Sequence, residues 1–228
     1  MIPLHDDNPS RRPPIVTILL LLTNVAFFLY ELSLPRRSLD TFIHTMGVIP
    51  AEFTSDLRLD PHIPLPLTLL TSMFLHGGAV HLAGNMLYLW IFGNNVEDAT
   101  GHVRFLIFYV ACGVGAAATQ IGSAPGSTIP MIGASGAIAG VLGAYMLLYP
   151  RARVLTLVPI LFILRLMYLP AIVVLGLWFV YQILLSGMSD PDRGGVAFFA
   201  HIGGFVAGMI LIWPLRRRGG RRRPGTNP

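Results

Sequence analysis

Gly133-Ala134-Ser135-Gly136-Ala137-Ile138-Ala139-Gly140 sets one hydroxyl between glycines where an apolar run begins, and that run ends at Tyr149-Pro150-Arg151. Two readings compete for Ser135. In one it is a small packing residue whose hydroxyl bonds back to a carbonyl of its own helix. In the other it is a nucleophile held beneath a membrane surface. The run Ala134 to Tyr149 makes about 24 Å of helix at ~1.5 Å per residue, against a hydrocarbon core of about 30 Å. If one end of so short a helix lies at a membrane surface, its other end is sunk below the opposite surface. Ser135 stands at that sunken end.

The composition decides the solvent. Of the 228 residues 54% are hydrophobic and only 12% charged, whereas a soluble domain carries about 25% charged residues. The chain reads as a single membrane-embedded domain of the all-α class. Its one cysteine, Cys112, excludes an internal disulfide and supports no metal site, and no cofactor is expected. The net charge of +5 comes from arginine, densest in Arg216-Arg217-Arg218 and Arg221-Arg222-Arg223, directly after an apolar run ending near Trp213. That placement reads as a juxtamembrane anchor facing anionic lipid. No aromatic residues interleave with it, which argues against nucleic acid as a partner.

Hydropathy divides the chain into six spans: 14–34, 79–96, 103–121, 134–149, 169–185 and 196–215. Residues 1–13 read as a disordered cytoplasmic lead, 14–215 as one six-helix membrane domain, and 216–228 as a basic cytoplasmic tail. The first run is read as an uncleaved span and not a signal peptide, because Pro35-Arg36-Arg37 follows it with no small-x-small cleavage site. Residues 35–78 are too polar to span and too apolar for a free loop, so a structured loop lying partly in the interface is expected. Residues 151–168 suit an interfacial connector. Six spans put both termini on one side. With the termini cytoplasmic, Arg11, Arg12, Arg104, Arg151, Arg153, Arg165 and the tail arginines are inside, and only Arg36, Arg37, Arg58 and Arg193 are outside. No internal repeat is visible, which weighs against inverted-repeat transporters.

Polar residues inside spans are costly and default to functional hypotheses. Ser135, His201, His81 and Asn85 all enter from the outer side. His201 lies about 9 Å into the sixth span at ~1.5 Å per residue, a depth Ser135 can share. His81 and Asn85, four apart, occupy one helix face. A serine needs a base to become a nucleophile, and histidine is the usual one. Backbone N–H groups at a helix N-terminus, with His81 and Asn85, suit a developing oxyanion. With Glu97 and Asp98 on the cytoplasmic side and no Asp or Glu expected in the spans to orient the histidine, the reading is a Ser-His dyad. Gly136-x-x-x-Gly140 and Gly204-x-x-x-Gly208 are close-approach motifs that bring the fourth and sixth helices together, and Gly133 allows the turn before Ser135. His76 reads as structural, at the hydrated mouth of the cavity, and His102 is given no role.

At these residues the sequence resembles the rhomboid family of intramembrane serine proteases. The motifs are Phe74-Leu75-His76-Gly77-Gly78, His81-x-x-x-Asn85, Gly133-Ala134-Ser135-Gly136 and Ala200-His201-Ile202-Gly203-Gly204 with Gly208. The resemblance implies a six-helix bundle with residues 35–78 as a half-embedded loop between helices 1 and 2. It implies Ser135 as nucleophile, His201 as base, and His81, Asn85 and the Ser135 N–H as oxyanion donors. It further implies that the fifth span, with Trp178 and Phe179, and the loop after it gate lateral entry of transmembrane protein substrates. Two departures stand out: the loop lacks the family's Trp-Arg pair, Arg58 following Leu57, and Ala139 stands where some members place an aromatic ring under the histidine. The rival reading is a non-catalytic protein that binds client transmembrane helices. The expected location is a prokaryotic plasma membrane, with the site open to the outer side.

Overall fold

The computed structural model describes residues 1–57, 63–160, 163–188 and 196–217. Arg58, Arg193 and the tail from Arg218 onward lie outside the described residues. Helix α1 (Ile15–Ser33) opens the bundle, and the segment after it holds α2 (Arg36–Met46), α3 (Pro50–Thr54) and α4 (Leu65–Thr71) with a 3-10 turn, Ser72–Phe74. Helices α5 (Ala79–Thr100), α6 (His102–Ser123), α7 (Ser135–Leu148), α8 (Ala171–Ser186) and α9 (Phe198–Leu215) follow. Among the described residues α1, α6 and α9 are each long and apolar enough to cross a membrane. The α4 segment and α5 pass that test together, as a pair bent by 86°. Helices α7 and α8 are shorter apolar helices.

The axis of the molecule is α7. Every residue from Gly136 to Tyr145 is buried, so this helix has no solvated face, as a helix apolar all round must be enclosed. It packs against α5, α6, α8 and α9. Glycines make the α7–α9 contact close: a methyl on Gly204 would collide with the Gly136 carbonyl oxygen, and one on Gly208 with that of Gly140. Side chains of ordinary size hold helix axes about 8–10 Å apart; glycine removes that spacer.

Two expectations are corrected at the opposite end of α7 from Ser135. Residues 2–6, expected to be disordered, form β1 (Ile2–Asp6), and residues 151–168, expected to be an interfacial connector, hold most of a hairpin of β2 (Arg153–Ile160) and β3 (Ile163–Pro170). The three strands make one antiparallel sheet in the order β1-β2-β3. Alternating β-branched residues Val154, Thr156, Val158 and Ile160 favour the extended backbone. Val154 and Thr156 are fully buried. Pro159, which has no N–H to donate, lies past the last residue that β1 covers. The lead is ordered because its backbone completes the β2 edge and its Asp6 carboxylate is buried against donors: the Tyr145 hydroxyl at 2.6 Å and the Asn95 amide at 3.0 Å.

That same end gathers further ties. The Glu97 carboxylate accepts from the Val16 and Thr17 N–H groups at 2.9 and 2.8 Å and from the Thr17 hydroxyl at 2.7 Å. It thereby satisfies free donors at the start of α1. His102 Nδ1 lies 2.6 Å from the same carboxylate, so a residue given no role in the sequence helps fix the α5–α6 corner. Arg153 bonds Asp7 at 2.7 Å, which holds the Asp7 carboxyl below its ordinary value. The Arg217 N–H donates to the Ala99 carbonyl. Both described ends of the chain therefore lie at one end of the bundle.

Candidate active site

Ser135 is the first residue of α7, and the turn before it is built by Gly133. Its φ of +123° is disfavoured for any residue with a Cβ. The Gly133 N–H donates to the Ser72 carbonyl at 2.8 Å, which ties the turn to the segment below α5. A Cβ on Gly133 would also stand 2.9 Å from His81 Nε2 and 3.8 Å from Ser135 Oγ. The His81 ring and the serine hydroxyl thus border one spot. Because α7 starts here, its first N–H groups have no partners within the helix.

His201 comes from α9, which begins two residues later than the sixth run expected, so the histidine lies in the first turn of its helix. Its Nε2 is 2.8 Å from Ser135 Oγ, within the range for a nucleophile and its base. The serine is half-buried and the histidine 8% exposed.

The remaining residues divide into two groups. Asn85, 7% exposed, and His81 sit in the first two turns of α5 beside His76. The Asn85 amide donates to His76 Nε2 at 3.0 Å, and the His76 and His81 rings meet edge to face at 5.2 Å. His76 is only 3% exposed, which corrects its placement at a hydrated mouth: its job is to hold Asn85. The second group is Trp178 and Phe179 on α8. Trp178 packs on His201 with ring centroids 5.8 Å apart and on Phe205 at 6.0 Å, and Phe179 stacks on Phe205 at 4.4 Å. An aromatic ring thus packs on His201 from α8, while Ala139 of α7 offers none.

Two residues escaped the sequence reading. Gln182 on α8, 5% exposed, places Oε1 2.7 Å from His201 Nδ1. Glu31, inside the first apolar run and 3% exposed, corrects the expectation that the spans hold no acid: it accepts the His76 N–H at 3.1 Å and not a His201 N–H. Each is a polar residue within an apolar run, the signal that pointed to the others. Among the described residues no group of acids, histidines and cysteine is arranged to hold a metal ion.

Comparison with known proteins identifies the company this geometry keeps. The rhomboid protease GluP of Bacillus subtilis is 37% identical over 144 residues, which covers 62% of this chain and 24% of that protein. Rhomboid-like protein 11, chloroplastic, of Arabidopsis thaliana is 25% identical over 207 residues, 85% of this chain and 66% of the relative. Rhomboid protein 1, mitochondrial, of Saccharomyces cerevisiae is 27% identical over 160 residues, 67% and 42% of the two chains. The chain thus spans from 24% to 66% of the length of these relatives. The family model described as the rhomboid domain matches residues 66–218, most of the chain and all of α5 to α9. On that match, and with helices of membrane-crossing length, this integral membrane protein belongs to the rhomboid family.

Proposed function

We propose that the protein is an intramembrane serine endopeptidase that cleaves transmembrane segments of other membrane proteins, with Ser135 as nucleophile and His201 as general base. The observation that carries this reading is the 2.8 Å contact between His201 Nε2 and Ser135 Oγ at the start of a buried helix. A family whose members include proteins named as proteases adds support. A substrate helix unwinds at its outer end and offers a peptide carbonyl to Ser135. The Oγ–C bond forms as the hydroxyl proton passes to His201 Nε2. The Ser135 N–H, His81 and Asn85 face the oxyanion. His201 returns the proton to the leaving amine, the C–N bond breaks, and water entering from the outer side releases the acyl-enzyme by the reverse proton path. The chemistry calls for no metal or cofactor.

The same reading gives the bundle six crossings: α1, α5, α6, α7, α8 and α9. It makes residues 14–215 one domain, with residues 35–78 as a half-embedded loop. Arginine placement supports cytoplasmic termini: Arg104 and Arg151 sit at or near the end where β1 and Arg217 meet the bundle. Ser135 then opens to the outer side of a prokaryotic plasma membrane. Helix α8, with Trp178 and Phe179, is the gate for substrate entry.

The test is cleavage of a model transmembrane peptide, with helix-destabilising small residues near its outer end, by purified protein in proteoliposomes. Wild type is expected to cut. Ser135→Ala and His201→Ala are expected to lose about 10⁴-fold or more in rate, and a fluorophosphonate is expected to label Ser135. Equal cleavage by all three proteins, or labelling elsewhere, overturns the reading. Binding of the peptide by wild type without cleavage identifies a non-catalytic binder of client helices.

A further inference from the structure

We propose that Gln182 is the positioning residue of His201, making the site a Ser-His-Gln arrangement in which α8 supplies the third member. The consequence for catalysis rests on the protease reading above; the placement of Gln182 does not. To accept a proton from Ser135, a neutral His201 must carry its own proton on Nδ1 and leave Nε2 bare, and a ring's tautomer is set by the partner of its other nitrogen. The structure supplies that partner: Gln182 Oε1 lies 2.7 Å from His201 Nδ1 while Nε2 faces Ser135 Oγ at 2.8 Å. A carbonyl oxygen only accepts hydrogen bonds, so this pairing places the proton on Nδ1. Among the described residues no carboxylate bonds His201.

Three observations support a fixed and not an incidental contact. Gln182 is 5% exposed and His201 8% exposed, so water does not compete well for the Nδ1 proton. Trp178 stands one turn before Gln182 on the same face of α8. It packs against the imidazole with centroids 5.8 Å apart, so ring plane and ring edge are both set from one helix. The α8 run is otherwise strongly apolar, and an amide inside it is costly unless hydrogen-bonded. Through the reaction the Nδ1–H stays on the imidazole and the amide takes no proton. The proton moves only between Oγ, Nε2 and the leaving amine. A neutral amide fixes the tautomer without the charge stabilisation that a buried carboxylate adds to imidazolium.

The experiment compares wild type with Gln182→Met, which keeps length and removes the acceptor, and Gln182→Glu, which keeps the acceptor. Histidine labelled with ¹⁵N is observed by NMR in the full chain, the His201 resonances being assigned by their loss in His201→Ala. Wild type and Gln182→Glu are expected to show His201 protonated on Nδ1 in a strong hydrogen bond, and Gln182→Met to lose that signal. In the peptide assay Gln182→Met is expected to lower kcat by about 10- to 100-fold at unchanged KM, less than the roughly 10²–10⁴-fold of a group that itself transfers the proton, with Gln182→Glu within a few-fold of wild type. A wild-type His201 protonated on Nε2, or a Gln182→Met protein that keeps both the Nδ1–H signal and its kcat, overturns the proposal. If the Nδ1–H signal depends on Gln182 but wild type cuts nothing, the placement stands and the protease reading falls.

Discussion

At the scale of single residues, the proposed chemistry depends also on side chains behind those that would face substrate. Asn85 has two amide hydrogens, and His76 Nε2 accepts one of them at 3.0 Å. That bond requires His76 to carry its proton on Nδ1, which faces the Phe74 carbonyl at 3.3 Å. The His76 backbone is in turn held by Glu31 of α1. Asn85 is therefore held in one orientation by a chain reaching to the first helix. Removing a preorganised oxyanion donor costs about 10²–10³ in kcat, and in the proposed role of Asn85 its replacement by Ala is expected to fall in that range. His76→Phe keeps a ring but removes the acceptor, so it should lower kcat by about 10-fold, less than the roughly 10²–10³ of losing the donor itself, with KM unchanged. Initial rates on the model peptide measure both. A His76→Phe protein with wild-type kcat would show that Asn85 needs no such support.

At the scale of elements, the contact between α7 and α9 sets the distance from Ser135 to His201. Added atoms at this contact have nowhere to go, because the opposing groups are backbone carbonyls. Gly208→Ala is expected to lower stability by about 1–3 kcal/mol or more, the usual cost of overpacking. It should also slow labelling of Ser135 by a fluorophosphonate as the two helices are pushed apart. Gly126→Ala, where a Cβ meets nothing within 4 Å, is the control and should match wild type in thermal melting. This contact was legible beforehand, since a glycine every fourth residue has few uses other than close approach, and so were Ser135 and His201, polar groups in apolar runs. Gln182 was not. Its place opposite His201 depends on the rotation of α8 about its axis, which an apolar run with little periodicity does not encode. The strands were hidden for another reason. β1 pairs with β2 across about 150 residues, and an edge strand carries little local signal until its partner is known.

At the scale of the molecule, the bundle is fixed at the end remote from the candidate site. The Tyr145 hydroxyl donates to Asp6 at 2.6 Å, ten residues along α7 from Ser135, or about 15 Å at ~1.5 Å per residue. Burial raises the Asp6 carboxyl above its ordinary value near 3.8, and the Tyr145 hydrogen bond offsets this only in part. A raised folded-state pKa means that the fold favours the protonated carboxyl. Relative to the unfolded chain, Asp6 then favours folding most below about pH 3.8, and this advantage is lost as pH rises through the folded value. Asp7 acts in the opposite sense: its pKa is lowered by Arg153, so its contribution is present above the ordinary value and is lost in acid. Asp6→Asn keeps an acceptor for Tyr145 and removes the ionisation. It should match or exceed wild-type melting temperature near neutral pH, and lose that advantage as pH falls toward about 4. Tyr145→Phe leaves the buried carboxylate short of a donor and should cost about 1–3 kcal/mol near neutral pH. Because α7 is one rigid helix and the site lies at its other end, kcat of Tyr145→Phe measured well below its melting temperature should stay within a few-fold of wild type. Melting curves at the two pH values, with rates on the same samples, test both halves. A Tyr145→Phe protein that melts like wild type would show that the strand is not a tether, and one that melts normally but loses kcat would show that the remote end of α7 is coupled to the site.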